Sequence, residues 1–113
     1  MWRDDATLLD IAQAARRIVS FVQGVDEASF AANEEKHWAV VAQLLIIGEA
    51  VTHLSAEFRS SHPEIEWAKI SGMRNRLIHG YDKIRWDLVW RTTTENVPQL
   101  LEQIEPLLPA EEP

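Results

Sequence analysis

Apolar side chains recur at helical spacing along almost the whole chain, and this periodicity restricts the possible folds more than any other feature. In residues 4 to 23, apolar residues follow one another every three or four positions, while charged and amide side chains lie off the stripe. No strand-like alternation, repeat or low-complexity segment interrupts the pattern. The sequence therefore predicts an all-α fold, a helical bundle of about four main helices.

Capping residues and glycines divide the first half of the chain. Asp4 or Asp5 can cap the first helix, and Gly24 ends it. Asn33 is predicted to cap a long helix that runs to about Arg59. Gly48 lies in the middle of that helix, where glycine costs about 1 kcal/mol relative to alanine, so we expect it to permit the close approach of another helix.

Prolines and polar residues mark the helices of the second half. Residues 60 to 63 end the long helix, because they include a proline that lacks an amide donor. The next helix is predicted to start within residues 64 to 67 and to end near Gly80. Asp87 is predicted to cap a last helix that reaches about residue 104, where an internal proline, residue 98, predicts a kink or a break.

Length and composition limit the class of protein. The 113 residues predict a single domain, residues 1 to 113, with a frayed tail of acidic residues and prolines from 105 to 113. The chain has no cysteine, which excludes disulfides, thiolate zinc sites and a cysteine nucleophile and fits a reducing compartment. The longest apolar run, residues 38 to 48, is about half the length that spans a bilayer. Since no export signal is visible, we expect a cytoplasmic protein that does not associate with membranes.

The charge distribution bears on nucleic-acid binding. The net charge of −7 argues against a protein that coats nucleic acid without specificity. Basic residues nevertheless collect in the second half of the chain. They are Arg74, Arg76, Lys83, Arg85 and Arg91. A small basic cleft on an acidic body is therefore compatible with the composition.

Residues 74 to 81 concentrate the side chains that carry chemistry. The guanidinium of Arg74 can bind a phosphate with a fork of donors, and a histidine such as His79 can transfer a proton near neutrality. Asn75 lies four residues before His79 and shares its helix face. Arg74 and His79 lie about 140° apart around an ideal helix, so they meet at one phosphate only if the helix loosens near Gly80 or a symmetry mate completes the site. The second solution predicts a homodimer.

Some of these positions also admit a purely structural interpretation. Cations at the end of a helix can simply complement the helix dipole. Glu49 and His53, four residues apart, are compatible with two metal ligands or with a helix-stabilising pair. No third ligand is suggested by the local spacing, so we predict no metal site. Glu49 also interrupts an apolar run and needs a partner, for which Arg74 or Arg76 is suitable.

The aromatic residues and the remaining histidines are assigned to the scaffold. The five tryptophans are compatible with a base-stacking surface, but their scattered helical positions favour packing at helix crossings. His37 and His62 are both expected at the surface, and His62 precedes a proline within a turn.

The motif formed by Arg74, Asn75, His79 and Tyr81 resembles the R-x4-H-x-Y motif of HepT-like toxins, which belong to the HEPN superfamily of ribonucleases. Other segments are similar to the same family, and together they cover roughly residues 4 to 108. They are residues 47 to 50 (IGEA), 62 to 67 (HPEIEW, with Glu66 where the family commonly has proline), 71 to 81, 87 to 90 and 97 to 100.

The resemblance implies a HEPN-like helical bundle that forms a homodimer, with the two motifs facing each other across a cleft. It implies a metal-independent endoribonuclease that needs no cofactor and cleaves an RNA substrate to leave a cyclic phosphate end. His79 would act as general base or acid, and Arg74 would bind the scissile phosphate and stabilise its developing charge. Asn75 would orient His79 or the phosphate, and we count Asn75, Arg76 and Glu49 as supporting residues.

The resemblance also implies a partner, an MntA-like minimal nucleotidyltransferase that acts as antitoxin. This enzyme would transfer AMP to Tyr81, and the added phosphate would block the cleft and occupy its arginines. The structural alternative for Tyr81 is a packing residue after the helix end. Two competing functions stay open: a non-catalytic HEPN module that binds nucleotide or docks a nucleotidyltransferase, and a purely structural helical dimer.

Overall fold

The computed structural model describes residues 4 to 109, and within this range the chain forms helices and turns without a strand. The α-helices are α1 (Asp4–Val22), α2 (Glu27–Ala31), α3 (Glu34–His53), α4 (Ala56–Ser61), α5 (Trp67–His79), α6 (Trp86–Arg91) and α7 (Val97–Ile104). Short 3₁₀ turns cover Tyr81–Lys83 and Glu105–Leu107, and a π-helical turn, Thr92–Asn96, joins α6 to α7. The predicted all-α fold is confirmed.

Helix α3 is the central element of the core. It packs against α1 and also against α5, and α1 in turn packs against α7. The contacts are made by apolar side chains that are almost fully buried, among them Ile11, Ile18, Leu44, Ile47 and Ile104. Burying each such side chain contributes about 1.5–3 kcal/mol. Within the described range no helix is both long enough and apolar enough to cross a membrane.

The predicted ends of the first helices are largely confirmed. The side chain of Asn33 accepts a hydrogen bond from the backbone N–H of Lys36 at 3.0 Å and caps α3. Gly24 follows α1 in the left-handed region at φ 74°, which an L-residue rarely adopts. Asp4 and Asp5 occupy the first turn of α1, and the position that caps this helix lies outside the described residues.

The prediction of one long helix as far as Arg59 is wrong, because α3 ends at His53. Leu54 adopts an extended conformation (ψ 143°), and its side chain is buried. Ser55 then caps α4, since its hydroxyl accepts from the N–H of Phe58 at 3.0 Å. The carboxylate of Asp4 accepts hydrogen bonds from both the N–H and the hydroxyl of Ser55. The break is therefore fixed by the start of α1, which is distant in sequence.

Asp87 does not cap the last helical segment, which corrects a second prediction. Helix α6 begins one residue earlier, at Trp86, with Arg85 in the capping position. The carboxylate of Asp87 instead accepts from Nη2 of Arg85 at 2.7 Å, and this bond lowers the pKa of Asp87. Helix α5 starts at Trp67, which is the last residue of the interval, 64 to 67, in which its start is predicted.

The irregularity expected near Pro98 takes the form of the π-helical turn. Proline lacks an N–H and its ring collides with the carbonyl four residues earlier, which disfavours a regular helix at this point. The N–H of Val97 bonds to the carbonyl of Thr92, five residues earlier. The hydroxyls of Thr92 and Thr93 bond to the carbonyls of Leu88 and Trp90. Threonine hydroxyls that bond back in this way bend helices and stabilise the wider turn.

The start of the tail predicted to be frayed, residues 105 to 113, is folded in the structure. Glu105–Leu107 forms a 3₁₀ turn, and Leu107 and Leu108 pack against the core. Residues 110 to 113 lie outside the described range.

His37 is buried, contrary to the surface position predicted for it. Only 6% of the residue is exposed, and its Nε2 lies 2.7 Å from the carbonyl oxygen of Phe30. Its ring stacks on Trp86, with centroids 4.1 Å apart and an angle of 14° between the planes. His62 is half-buried, and its ring packs against Phe58. Both histidines therefore contribute to packing between helices.

Gly48 brings α3 and α5 into close contact, as its position in the sequence predicts. A Cβ atom placed on Gly48 would lie 2.2 Å from the Cβ and 2.8 Å from the Cγ of Arg74. Gly72, on α5, has a different environment, because a Cβ there would meet only the end of the Arg76 side chain at 3.5 Å. Only the first glycine is therefore required by the contact between the helices.

We predict that Gly48→Ala destabilises the protein and Gly72→Ala does not. The methyl group at residue 48 forces α5 away from α3, at a cost of about 1–3 kcal/mol. Gly72→Ala serves as the matched control and raises stability by about 0.5–1 kcal/mol, since alanine restricts the unfolded chain more than glycine does. Urea unfolding followed by circular dichroism measures both changes. Equal stability of the two variants would contradict the close approach.

Candidate active site

Arg74 is held in place from two sides. Its Nη2 lies 2.7 Å from Oε2 of Glu49, and its Nη1 donates to Oδ1 of Asn75 at 3.0 Å. The partner expected for Glu49 is therefore present, and it is Arg74 rather than Arg76. The bridge lies beside Gly48, where α5 approaches α3 most closely, so the backbone contact determines where the guanidinium sits. The side chain of Arg74 keeps 30% of its surface exposed, and a guanidinium with five N–H donors retains some for a ligand.

His79 lies at the other side of α5. The N–H of Gly80 bonds to the carbonyl of Arg76 at 2.9 Å, so the helix stays regular through His79. His79 lines a cleft of about 500 Å³ between α5 and α6, together with Arg76 and Lys83. Among the described residues, none hydrogen-bonds to its imidazole. We name this space the cationic cleft; its lining includes His79, Arg76, Lys83 and Arg85.

Within one chain, Arg74 and His79 do not share the cleft. Arg74 faces α3 through Glu49, whereas His79 lines the space beside α6. The regular helix rules out the loosening near Gly80 that would have brought the two side chains together. Of the two geometric solutions that the sequence leaves open, a loosened helix is therefore not observed, and the completion of the site by another chain stays a prediction.

The supporting residues divide between these two places. Asn75 bonds to Arg74 and makes no hydrogen bond to His79 in the structure. Arg76 lines the cationic cleft, and no carboxylate among residues 4 to 109 pairs with it. Tyr81 lies in the 3₁₀ turn just after α5 and is 68% exposed, which is high for a tyrosine that would serve only in packing.

Glu49 and His53 form the helix-stabilising pair that their spacing allows. Nε2 of His53 lies 3.2 Å from Oε1 of Glu49, one helical turn away. Over the described part of the chain, no group of three histidine, cysteine, aspartate or glutamate residues is suitably placed to hold a metal ion.

The positive charge of the cleft is only partly neutralised. Asp87 pairs with Arg85 and is held ionised by it, as its lowered pKa shows. Lys83 has no carboxylate partner among the described residues. The cleft therefore attracts anions, although the chain as a whole carries a charge of −7.

Sequence reasoning did not assign Lys83 and Arg85 to a site, although it recognised the local excess of basic residues. Their place in the cleft depends on how the chain turns after α5, which helical periodicity does not report. It also did not identify the apolar side chains that the fold leaves exposed. Among them are Trp38, Ile46 and Ile78, which are 44%, 41% and 40% exposed.

Comparison with known proteins identifies a family and several relatives. A family model described as "Ribonuclease HepT-like" matches residues 11–107. "Putative RNase MJ1380" of Methanocaldococcus jannaschii is 35% identical over 100 residues, which cover 88% of this chain and 92% of that protein. "Probable ribonuclease HepT" of Thermococcus cleftensis is 35% identical over 100 residues, covering 88% and 91%.

"Putative RNase TTE0752" of Caldanaerobacter subterraneus is 35% identical over 101 residues, covering 89% of this chain and 90% of that protein. No solved structure matches the chain. The family model covers most of the chain, and these three relatives align with it over nearly their full length. The chain therefore belongs to the HepT-like ribonuclease family.

Proposed function

We propose that this protein is a metal-independent endoribonuclease, the toxin of a toxin–antitoxin pair, and that it works as a homodimer. The observation that carries the proposal is the state of His79. Its imidazole lies in a cleft lined with cations and has no hydrogen-bond partner among the described residues, so it is available to a substrate. Because the chain belongs to a ribonuclease family, we interpret the cleft as a site for RNA.

The reaction uses the substrate's own nucleophile. His79 removes the proton of the RNA 2′-hydroxyl, and the 2′-oxygen attacks the adjacent phosphorus. The bond from phosphorus to the 5′-oxygen breaks, and that oxygen leaves with a proton that solvent water supplies. The products are a 2′,3′-cyclic phosphate and a 5′-hydroxyl. Arg74 stabilises the negative charge that develops on the phosphate oxygens, while Glu49 and Asn75 fix its direction.

A dimer brings the two residues of the motif together. Arg74 of one chain would reach the phosphate that His79 of the other chain acts on. Two exposed apolar residues support this, because Ile46 lies three residues before Glu49 on α3 and Ile78 lies four residues after Arg74 on α5. Apolar side chains beside the Glu49–Arg74 bridge favour a two-fold interface next to the site.

Tyr81 is the proposed point of control. Its oxygen would attack the α-phosphate of ATP on an MntA-like nucleotidyltransferase, with release of pyrophosphate. The exposure of Tyr81 supports this, since 68% of the residue is accessible to a partner enzyme. The added AMP would carry a negative phosphate beside the cationic cleft, where it would compete with RNA for Arg76 and Lys83.

A cleavage assay in excess chelator tests the nuclease. We predict that the wild-type protein cleaves RNA and that His79→Ala reduces the rate by about 10²- to 10⁴-fold, because a positioned imidazole gives this factor. His62→Gln is the control, since His62 packs on Phe58 and does not line the cleft. The control retains the wild-type rate. Equal cleavage by His79→Ala and wild type would favour the non-catalytic HEPN module, with which the net charge of −7 is also compatible.

Two substitutions of Glu49 test whether it orients Arg74 as a hydrogen-bond acceptor or acts through its negative charge. Glu49→Gln keeps an acceptor for Arg74, so we predict that kcat changes by less than about threefold. Glu49→Ala removes the acceptor, and kcat falls by about tenfold or more because the guanidinium loses its fixed direction. Steady-state kinetics on an RNA oligonucleotide measures both variants. Wild-type kinetics for Glu49→Ala would show that the bridge is only a surface ion pair.

The control by AMP is tested with Tyr81→Phe. After incubation with ATP and an MntA-like nucleotidyltransferase, we predict that the intact mass of the wild-type protein increases by one AMP and that its RNA cleavage stops. Tyr81→Phe gains no mass and continues to cleave. Modification of the phenylalanine variant, or full activity of modified wild type, would contradict the assignment.

A further inference from the structure

A second cavity adjoins the cationic cleft. It has a volume of about 250 Å³ and lies between α5 and the segment formed by the π-helical turn and α7. The two spaces share four lining residues: Leu44, Met73, Arg76 and Thr92. They therefore form one groove along α5, with Arg76 at the junction between them. We name the second space the amide pocket.

The amide pocket differs chemically from the cationic cleft. Apolar side chains such as Ile70 and Met73 line it, together with the side chains of Asn96, Gln99 and Gln103. Among the described residues, no group hydrogen-bonds to the amides of Asn96 and Gln99. These two amides lie three residues apart on a helical stretch and so point to the same side. Two adjacent amides can present several free donors and acceptors to a ligand.

Charge decides which part of an RNA fits each end of the groove. Glu64 and Glu66 line the amide pocket together with Lys69, which pairs with Glu66, and with Arg76 at the junction. The charges of this lining balance, so the pocket lacks the excess of cations that attracts a phosphate to the cationic cleft. The free amides can accept hydrogen bonds from the amino and imino groups of a nucleobase. An apolar surface beside polar hydrogen-bonding groups is the environment that a base requires, whereas the cationic cleft suits the backbone.

We propose that the amide pocket binds a nucleobase next to the scissile phosphate and that Asn96 and Gln99 determine the base preference. This inference rests on the proposed ribonuclease function. The phosphate lies in the cationic cleft at His79, Arg76 spans the junction, and the base enters between α5 and α7. The π-helical turn ends at Asn96, so the unusual backbone of this segment sets the position of a residue that reads the base.

The test compares wild type with the double variant Asn96→Leu/Gln99→Leu, in which the amides are replaced by apolar groups of similar size. Glu102→Gln is the matched control, because Glu102 is an exposed residue of α7 that does not line the pocket. Each protein is titrated with the four ribonucleoside 3′-monophosphates and with inorganic phosphate, and binding is followed by NMR. Each protein is also incubated with a pool of RNA of random sequence, and the bases at the cleavage sites are counted.

We expect the side-chain amide signals of Asn96 and Gln99 in wild type to shift with nucleotides in a base-dependent way and not with phosphate. We expect wild type to favour certain bases next to the cut, and the double variant to lose this preference by about fivefold or more while it still cleaves. The control matches wild type in both measurements.

Two results would overturn the proposal. In the first, nucleotides and inorganic phosphate shift the same signals around His79 and Lys83, and those of Asn96 and Gln99 stay fixed. In the second, the double variant keeps the wild-type base preference. If the wild-type protein cleaves no RNA, the proposed function fails, and the NMR titration alone still decides whether the pocket binds a base.

Discussion

The close contact between α3 and α5 at Gly48 is the constraint on which the site depends. Without a side chain at this position, the backbone of α3 approaches the Cβ of Arg74. Glu49, the next residue of α3, then meets the guanidinium at 2.7 Å, and Asn75 holds it from the other side. One missing side chain thus brings together an acid and a base that lie far apart in the sequence. The ion pair itself contributes little to stability in a half-exposed setting, so its value lies in orientation.

The same helix keeps Arg74 and His79 of one chain apart. Helix α5 is regular through His79, so Arg74 and His79 point in directions that differ by about 140°. His79 borders the cationic cleft, while Arg74 is paired with Glu49 of α3. A two-fold axis near the exposed Ile46 and Ile78 would bring Arg74 of one chain close to His79 of the other. The rigid helix would therefore couple dimerisation to catalysis in the proposed function.

The sequence predicted the features that are local and did not predict those that depend on distant contacts. Periodicity sufficed for the all-α fold. The need of Glu49 for a partner predicted a bridge to Arg74 or Arg76, and the structure shows the bridge to Arg74. The break in the helix after His53 was not predicted, because it is stabilised by a hydrogen bond from the N–H of Ser55 to Asp4, at the start of α1. The burial of His37 depends on Trp86, which is supplied by a later helix. The positions of Lys83 and Arg85 in the cationic cleft were not predicted either, because they depend on the course of the turn after α5.

Complementation between two inactive variants tests the shared site most directly. Arg74→Ala and His79→Ala are assayed for RNA cleavage alone and after refolding together in equal amounts. If the site combines Arg74 of one chain with His79 of the other, half of the dimers are mixed and each of these has one intact site. The mixture then recovers about a quarter of the wild-type rate. A mixture no more active than the separate variants, with mixed dimers present by native mass spectrometry, would contradict a site built from two chains.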